Sequence, residues 1–233
     1  MSEDGAAEIR CNGVSRRYND GSRIITALDD FTERFRLGET VAVTGPSGSG
    51  KSTLLGLLAA LDYADEGTIY VGATELGSLS SVEQTALRAQ SISYLAPDHN
   101  LLPVLSVYEN ISLALSLKGL SEPEIDGRIK ESLSRLELSD VAYRLPAELS
   151  SGERARAALA RALASGNPIL IADEPTAHLD AHDAMRVASL LAAFASDGRR
   201  VVVLATHDPE VASRADRVVR LRPQAPGPER EEA

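Results

Sequence analysis

A glycine-rich segment between an apolar run and a helical pattern constrains this chain more than any other feature. Residues 45–53 read Gly-Pro-Ser-Gly-Ser-Gly-Lys-Ser-Thr, which fills the pattern G-x-x-x-x-G-K-[ST]. The apolar run Val-Ala-Val precedes it at residues 41–43, and leucines at helical spacing follow it. This order of strand, glycine-rich loop and helix predicts a loop that binds phosphate groups.

The residue types in this loop match what phosphate binding requires. Glycines let backbone N–H groups turn toward phosphate oxygens, and the helix N-terminus behind them adds a positive field. Lys51 supplies a positive charge for the β- and γ-phosphates, and the Ser52 hydroxyl is suited to bind Mg²⁺. A chance Gly/Ser loop is disfavoured by the flanking pattern. The predicted nucleotide-binding residues of the loop are Gly45, Pro46, Ser47, Gly48, Ser49, Gly50, Lys51, Ser52 and Thr53.

Length and composition exclude several classes of protein. A chain of 233 residues suits one large α/β domain or a domain with an inserted subdomain. The net charge of −10 argues against nucleic-acid binding, which needs a basic face. No apolar run reaches the ~18 residues of a membrane helix, and the acidic N-terminus is not a signal peptide, so we expect a cytoplasmic chain. The single cysteine, Cys11, permits no internal disulfide.

The chain divides into an α/β core and a helical insert. Two apolar alternations, at 9–18 and 23–36, suit antiparallel strands joined by the turn Asn19-Asp20-Gly21. Periodicity and capping signals predict the later elements. These are strands at 68–71, 92–95, 169–172, 201–205 and 217–221, and helices at 82–89, 106–118, from 121, 155–164, 180–196 and from 208. We therefore expect a core of 1–97 and 165–221, a helical subdomain of 98–164 and a disordered tail of 222–233.

A second acidic site follows a buried strand pattern. Asp173 and Glu174 come directly after the apolar run 169–172. Asp173 is suited to hold Mg²⁺ through water, and Glu174 to polarise an attacking water. A strand followed by an acidic surface turn is the alternative, and the upstream phosphate-binding loop favours the functional interpretation.

Two further segments carry less specific signals. His207 follows the apolar run 201–205 and can hydrogen-bond a γ-phosphate, although a lone histidine is more often a loop residue. Residues 149–153 read Leu-Ser-Ser-Gly-Glu, in which Ser150 and Glu153 fit a capping box for the helix that follows. A helix N-terminus with serine and glycine also suits a phosphate contact. The sequence order alone does not choose between these two roles.

The five segments taken together, in this order, resemble the ATP-binding subunits of ABC transporters. The resemblance covers residues 9–221. In its shorter segments the chain is similar to the lipoprotein-release and macrolide-export branch of the family. It implies an α/β fold with a P-loop NTPase (RecA-like) core, an antiparallel β subdomain and an inserted α-helical subdomain. The segments are 45–53, 149–153, 169–174, 177–180 and His207.

The resemblance also implies partners and site residues. The protein would bind ATP with Mg²⁺ between two copies arranged head to tail, and it would contact a membrane permease through about 98–111. Glu174 would be the general base, and His207 would close on the γ-phosphate. Tyr18 would stack on adenine, although a strand-end core aromatic is the alternative. Ser150, Gly152 and Glu153 would contact the nucleotide in trans, and Asp180 would pair across the interface. The chain would lie on the inner face of the cell membrane.

Two positions depart from the family pattern. Pro97 stands where a glutamine is usual, and proline has no side-chain oxygen for Mg²⁺ or water. The neighbouring Asp98 is a candidate substitute ligand. Ser151 stands where glycine is common, and we expect binding to survive this change.

The departures leave other functions open. One is a regulatory subunit that binds ATP but hydrolyses it poorly because of Pro97. A P-loop small-molecule kinase has no use for residues 149–153 or His207. A soluble ABC-type ATPase of DNA repair or translation is disfavoured by the acidic charge and by the lack of a second cassette.

Overall fold

The computed structural model describes residues 8–19, 21 and 23–223 of the chain. Within these residues the strands are β1 (Ile9–Asn19), β2 (Ile24–Phe35), β3 (Thr40–Thr44), β4 (Glu66–Val71), β5 (Thr74–Glu75), β6 (Ile92–Leu95), β7 (Ile169–Asp173), β8 (Val201–Ala205) and β9 (Arg217–Arg220). The helices are α1 (Lys51–Leu58), α2 (Ser81–Ser91), α3 (Val107–Ser116), α4 (Glu122–Arg135), α5 (Ser151–Ser165), α6 (Ala181–Ala195) and α7 (Pro209–Ala212).

The first sheet is antiparallel, with strand order β2-β1-β4-β5. Ile9 of β1 pairs with Phe35 of β2, and the register shifts at bulges further along the strand. Two long strands were predicted here, and both are present. The two-residue strand β5 carries too short a pattern to be found from sequence, and it was not predicted.

The second sheet is parallel, with strand order β6-β7-β8-β3-β9. Its strands are nearly continuous apolar runs, as expected of strands that are covered on both faces. In a parallel sheet the carboxyl ends of all strands lie at the same edge. The segments that follow β3, β7 and β8 therefore meet at one edge, and these are the three segments that carry the predicted loop, acids and histidine.

Alternate residues of each strand divide the apolar core into two layers. Val41, Val43 and the β7 residue Ile171 face one layer, which contains the leucines of α1 and the antiparallel sheet. Ala42 and Ala172 face the other layer, which contains α3 to α6. Helix α1 and the helical insert thus lie on opposite faces of the parallel sheet.

The helical segment between β6 and β7 begins its helices where the sequence signals predict. Ser106 and Ser121 are N-cap residues, each in a capping box with a glutamate three residues later. The helix predicted at 106–118 ends two residues early, at Ser116, and Gly119 follows in a left-handed conformation with φ 72°. The helix predicted at 155–164 is longer than expected, because its first turn includes residues 151–154.

Some sequence predictions lie outside the described residues. These are the acidic N-terminus, Asp20 of the predicted turn and residues 224–233 of the predicted tail. The division into a core of 1–97 and 165–221 and a subdomain of 98–164 stays a prediction. Among the described residues, no helix combines the length and apolar content needed to cross a membrane.

Candidate nucleotide-binding site

The glycine-rich loop connects β3 to α1, as the sequence predicts. A Cβ atom on Gly50 would lie 2.0 Å from the carbonyl oxygen of Ala27, and Gly50 has φ 88°. A Cβ on Gly45 would lie 2.7 Å from the carbonyl oxygen of Leu221. Both positions therefore need glycine, because the backbone of β2 approaches Gly50 and the backbone just after β9 approaches Gly45. Gly48, with φ 77°, needs glycine for its conformation alone.

Lys51 and Ser52 begin α1 beside the loop. The Lys51 ammonium donates to the carbonyl oxygens of Gly45 at 2.9 Å and Pro46 at 3.1 Å. The first amide groups of an α-helix have no acceptor within the helix, so α1 directs free N–H groups into the loop. The loop thus places an ammonium, a hydroxyl and several amide donors around one space, which is a suitable environment for phosphate oxygens.

Asp173 ends β7 and is 2% exposed. It follows Ile171 by two residues, so it faces the same layer as α1, where Ser52 and Lys51 lie. Burial raises the pKa of the Asp173 carboxyl, and the negative charge of Glu174 raises it further. The hydrogen bond with Ser52 and the positive charge of Lys51 act in the opposite direction, but burial is the largest effect. Its Oδ1 atom is buried and has no hydrogen-bond partner. A buried carboxylate oxygen without a partner, facing a serine hydroxyl, fits a hard cation such as Mg²⁺.

Glu174 and His207 lie side by side at the ends of neighbouring strands. Nδ1 of His207 is 2.9 Å from Oε2 of Glu174. Glu174 has φ 47°, a left-handed conformation that is unusual for a residue with a side chain, and its N–H donates to the carbonyl of Ala205. Backbone strain of this kind is concentrated at functional sites. The His207 side chain is 71% exposed, so its ring is open to a ligand on its other side.

Tyr18 belongs to a small polar cluster on the antiparallel sheet. Its hydroxyl donates to Oδ2 of Asp62 at 2.8 Å, and the Arg16 guanidinium lies 4.7 Å from the ring centroid. Arg16 also binds Asp62 through two hydrogen bonds, at 3.0 and 2.8 Å. Tyr18 is therefore not a core aromatic: it is 38% exposed, with one face covered by Arg16 and its hydroxyl fixed by Asp62.

The strand β2 connects this cluster to the loop. Tyr18 pairs with Ile25, and Ala27, two residues further, is the residue whose carbonyl lies against Gly50. Arg16 and Asp62 were not predicted as site residues. Charged residues near a tyrosine in sequence are too common to be a signal, and Asp62 lies 44 residues from Tyr18.

Pro97 and Asp98 follow β6 and are both exposed. Oδ1 of Asp98 accepts a hydrogen bond from the N–H of Asn100 at 3.1 Å, which leaves its second oxygen available. Burial raises the pKa of the Tyr94 phenol to about 12, and the Asp173 and Asp98 carboxylates both add to this rise. The two acids therefore act on the same phenol, although Asp173 ends β7 and Asp98 lies in the loop after β6.

Ser150 is the N-cap of α5, and the capping box predicted for it is formed. Its N–H donates to Oε2 of Glu153 at 2.7 Å, and the N–H of Glu153 donates to its hydroxyl at 3.2 Å. These hydrogen bonds from Ser150 lower the pKa of Glu153. The Ser150 side chain also hydrogen-bonds the Glu153 carboxylate. Both the backbone and the side chain of Ser150 thus take part in the capping box that starts α5.

The structure brings some predicted residues together and keeps others apart. The loop, Asp173, Glu174 and His207 share the carboxyl edge of the parallel sheet. Ser150, Gly152 and Glu153 begin α5, which packs on the face opposite to α1. Asp180, the N-cap of α6, is exposed, and its Oδ1 accepts from the N–H of Asp183 at 2.8 Å. One copy of the chain thus forms part of the predicted site.

The chain is similar in sequence to known proteins over most of its length. A family model described as ABC transporter matches residues 28–177. The lipoprotein-releasing system ATP-binding protein LolD of Granulibacter bethesdensis is 39% identical over 95% of this chain and 97% of its own length. The macrolide export ATP-binding/permease protein MacB 2 of Aeromonas hydrophila subsp. hydrophila is 36% identical over 92% of this chain, but only 33% of its own length.

A solved structure is also similar over most of the chain. It is a dimeric, post-hydrolysis state of the ATP-binding cassette MJ0796 bound to ADP and Pi. The TM-score is 0.85 at 35% identity, and the match covers 91% of this chain and 94% of that one. The fold class predicted from the sequence is confirmed by this similarity.

Proposed function

This chain belongs to the ABC transporter family and is an ABC-type ATPase subunit, and from this we propose that two copies bind ATP between them and drive a membrane permease. The observation that supports hydrolysis most directly is the Glu174–His207 pair. It lies at the strand edge that carries Asp173 and the glycine-rich loop.

Each residue of this edge has a role in the proposed reaction. The loop amides and Lys51 bind and orient the triphosphate. Ser52 and Asp173 would hold Mg²⁺, Asp173 through water, and the ion supplies charge stabilisation for the phosphoryl oxygens. Glu174 accepts a proton from the attacking water, and His207 hydrogen-bonds the γ-phosphate and keeps the Glu174 carboxylate in place. Outside this edge, on the antiparallel sheet, Tyr18 stacks its free face on adenine.

The proposed site is completed by the second copy. Ser150, Gly152 and Glu153 lie on the face of the sheet opposite to α1, which supports their contacting the ATP of another subunit. The N-terminus of α5, where Ser150 is the N-cap, suits a phosphate oxygen. Asp180 would pair across the same interface. The relative MJ0796 is described as dimeric, which supports a head-to-tail pair.

The proposed permease contact is on the helical segment. A cleft of about 400 Å³ lies between β6 and α3, and it is lined by Leu102, Leu113 and Leu117, which are exposed. Leu102 lies in the predicted contact segment of 98–111, as does Val104, which is 79% exposed, whereas Leu113 and Leu117 lie just beyond this segment. Exposed apolar side chains around a cleft suit an apolar helix of a permease on the inner face of the cell membrane. The relatives LolD and MacB support lipoprotein release or export as the coupled process.

The regulatory alternative rests on Pro97. With no side-chain oxygen at this position, a subunit that binds ATP and hydrolyses it slowly remains a second candidate.

The rate of ATP hydrolysis and the oligomeric state decide between these proposals. We expect Glu174→Gln to abolish turnover and to accumulate an ATP-bound dimer, measured by analytical ultracentrifugation, while the exposed Glu122→Gln behaves as wild type. Lys51→Ala should lose ATP binding, and unchanged affinity would exclude the loop as the ATP site. Equal, slow turnover in the wild type and Glu174→Gln would favour the regulatory subunit. A Glu174→Gln protein that stays monomeric at saturating ATP would overturn the composite site.

A further inference from the structure

Asp183, in the first turn of α6, lies directly against the first turn of α5. A Cβ atom built on Gly152 would lie 2.0 Å from Oδ2 and 2.7 Å from Cγ of Asp183. Real Cβ atoms do not approach other atoms this closely. The carboxylate of Asp183 therefore occupies the space that any side chain at residue 152 would need. Since Gly152 is helical, the need for glycine here is spatial and not conformational.

Arg156 holds the Asp183 side chain in this position, and Asp180 holds its backbone. Nη1 of Arg156, one turn further along α5, is 3.4 Å from Oδ1 of Asp183. Only 12% of the Arg156 side chain and 26% of the Asp183 side chain are exposed. The backbone N–H of Asp183 donates to Oδ1 of Asp180, which fixes the start of α6. His182, whose Nδ1 is 3.9 Å from Oδ1 of Asp183, points mostly into solvent.

The contact joins two segments that are far apart in sequence. Ser150 and Gly152 begin α5, and Asp180 begins α6, and both segments are proposed to face the second subunit. An acid in the first turn of a helix is stabilised by the helix dipole, which accounts for Asp183 as a helix residue. The dipole does not account for the carboxylate lying in the side-chain space of Gly152, or for the partly desolvated pair with Arg156.

We propose that Asp183 is a positioning residue that holds the Ser150–Gly152 turn and Asp180 as one rigid unit. The segment that contacts the partner's γ-phosphate and the segment that pairs across the interface then approach the second subunit together. Asp183 takes no part in the chemistry itself, and it acts through Gly152 and Asp180. This inference rests on the proposed composite site, because the two segments have a joint role only if a second copy binds.

The functional test measures dimerisation and turnover separately from ATP binding. In the Glu174→Gln background we expect Asp183→Ala to lower ATP-driven dimerisation, with the monomer affinity for a fluorescent ATP analogue unchanged within about twofold. In the otherwise wild-type chain it should lower kcat about tenfold with little change in KM. The matched control is Asp140→Ala, an exposed aspartate outside this contact, which should leave all three quantities unchanged.

A thermal-melting cycle tests the contact itself. Gly152→Ala should lower Tm by roughly 4 °C, because its methyl group overlaps the carboxylate. In an Asp183→Ala chain the same substitution should leave Tm unchanged or raise it, since the space is then open and alanine has the higher helix propensity. An equal loss of Tm in both backgrounds would show that Gly152 does not need room for Asp183, and would overturn the inference.

The outcomes separate this inference from the composite site on which it rests. If Glu174→Gln forms the ATP-bound dimer and Asp183→Ala in that background dimerises equally well, the positioning role is overturned and the composite site stands. If Glu174→Gln itself stays monomeric, both are overturned. If Asp183→Ala loses monomer ATP binding and dimerisation in parallel, its role is general stability, which also overturns the inference.

Discussion

Nδ1 of His207 lies 2.9 Å from Oε2 of Glu174, although 33 residues separate them in the chain. The contact forms because β7 and β8 are adjacent and parallel, so the residues after each strand meet at one edge. The left-handed backbone of Glu174 turns its side chain toward this edge. The structure thus gives the proposed base a hydrogen-bonding neighbour at the strand edge that also carries the loop.

His207→Ala should remove this neighbour while the chain retains the Glu174 side chain itself. We expect kcat to fall on the order of 10²-fold, because a positioned hydrogen-bond donor at the γ-phosphate and the orientation of the base are lost together. ATP affinity of the monomer should change little, since the loop supplies most phosphate contacts. Steady-state kinetics and equilibrium nucleotide binding measure the two effects. A kcat within a factor of about two of the wild type would contradict a role for His207 in the reaction.

Asp173→Asn should stabilise the protein and inactivate it. The buried Oδ1 of Asp173 has no partner, so an amide of the same size removes an unfavourable buried charge. We expect Tm at pH 7, without nucleotide or Mg²⁺, to rise by roughly 2–4 °C, equivalent to about 1 kcal/mol. Mg²⁺-dependent ATP turnover should be lost.

The rise in Tm caused by Asp173→Asn should become smaller as pH falls. Burial raises the pKa of Asp173 above its ordinary value of 3.8, so the folded state binds this proton more tightly than the unfolded state. Stability from this group is present at low pH and is lost as pH rises through the folded pKa. The Tm advantage of Asp173→Asn should therefore shrink as pH falls toward about 4. An advantage that grows on acidification would contradict the buried unpaired carboxylate.

Asp62→Ala should weaken ATP binding by weakening the contact between Tyr18 and adenine. The contacts with the phosphates should be unchanged. The substitution frees the Tyr18 hydroxyl and removes the carboxylate that holds Arg16 over the ring. We expect ATP affinity to fall roughly fivefold, equivalent to about 1 kcal/mol, while affinity for inorganic tripolyphosphate stays constant. Isothermal titration calorimetry measures both ligands. The loss for ATP should disappear in a Tyr18→Ala background, and a loss of equal size there would exclude Asp62 as a support for Tyr18.

Asp98 variants test the substitute for the glutamine that Pro97 replaces. If the Asp98 carboxylate binds Mg²⁺ or orients water, Asp98→Ala and Asp98→Asn should both lower Mg²⁺-dependent turnover by about tenfold. Asparagine keeps the side-chain oxygen that accepts from the N–H of Asn100, so it is the control for the local turn. Wild-type turnover in Asp98→Asn with reduced turnover in Asp98→Ala would assign Asp98 to the turn alone.

Much of the fold could be predicted because its signals are local. The loop at 45–53, the apolar strand runs and the serine caps at 106, 121 and 150 each depend on residues within a few positions of each other. Helix ends carry weaker signals: α3 ends at Ser116, two residues before the predicted end, because the last turn of a helix frays. The strand β5 is set by pairing with β4, which no local pattern reveals.

The site was predicted residue by residue, but its supporting residues were not. Asp173, Glu174 and His207 each follow an apolar run, a signal that can be read from sequence. Asp62, Arg16 and Asp183 carry no such signal, because their roles come from contacts across 27 to 46 residues of chain. Contacts of this kind depend on which elements pack together.

The sequence by itself determined the glycine-rich loop, the order of the elements and the residue types available at the strand ends, because backbone conformation and apolar periodicity are local properties. Only the tertiary structure decided that Glu174 meets His207, that the Asp173 carboxylate is buried without a partner, and that Asp183 fills the space beside Gly152. These relationships depend on strand order and helix packing, which are set by burial of the whole apolar core and not by any single segment.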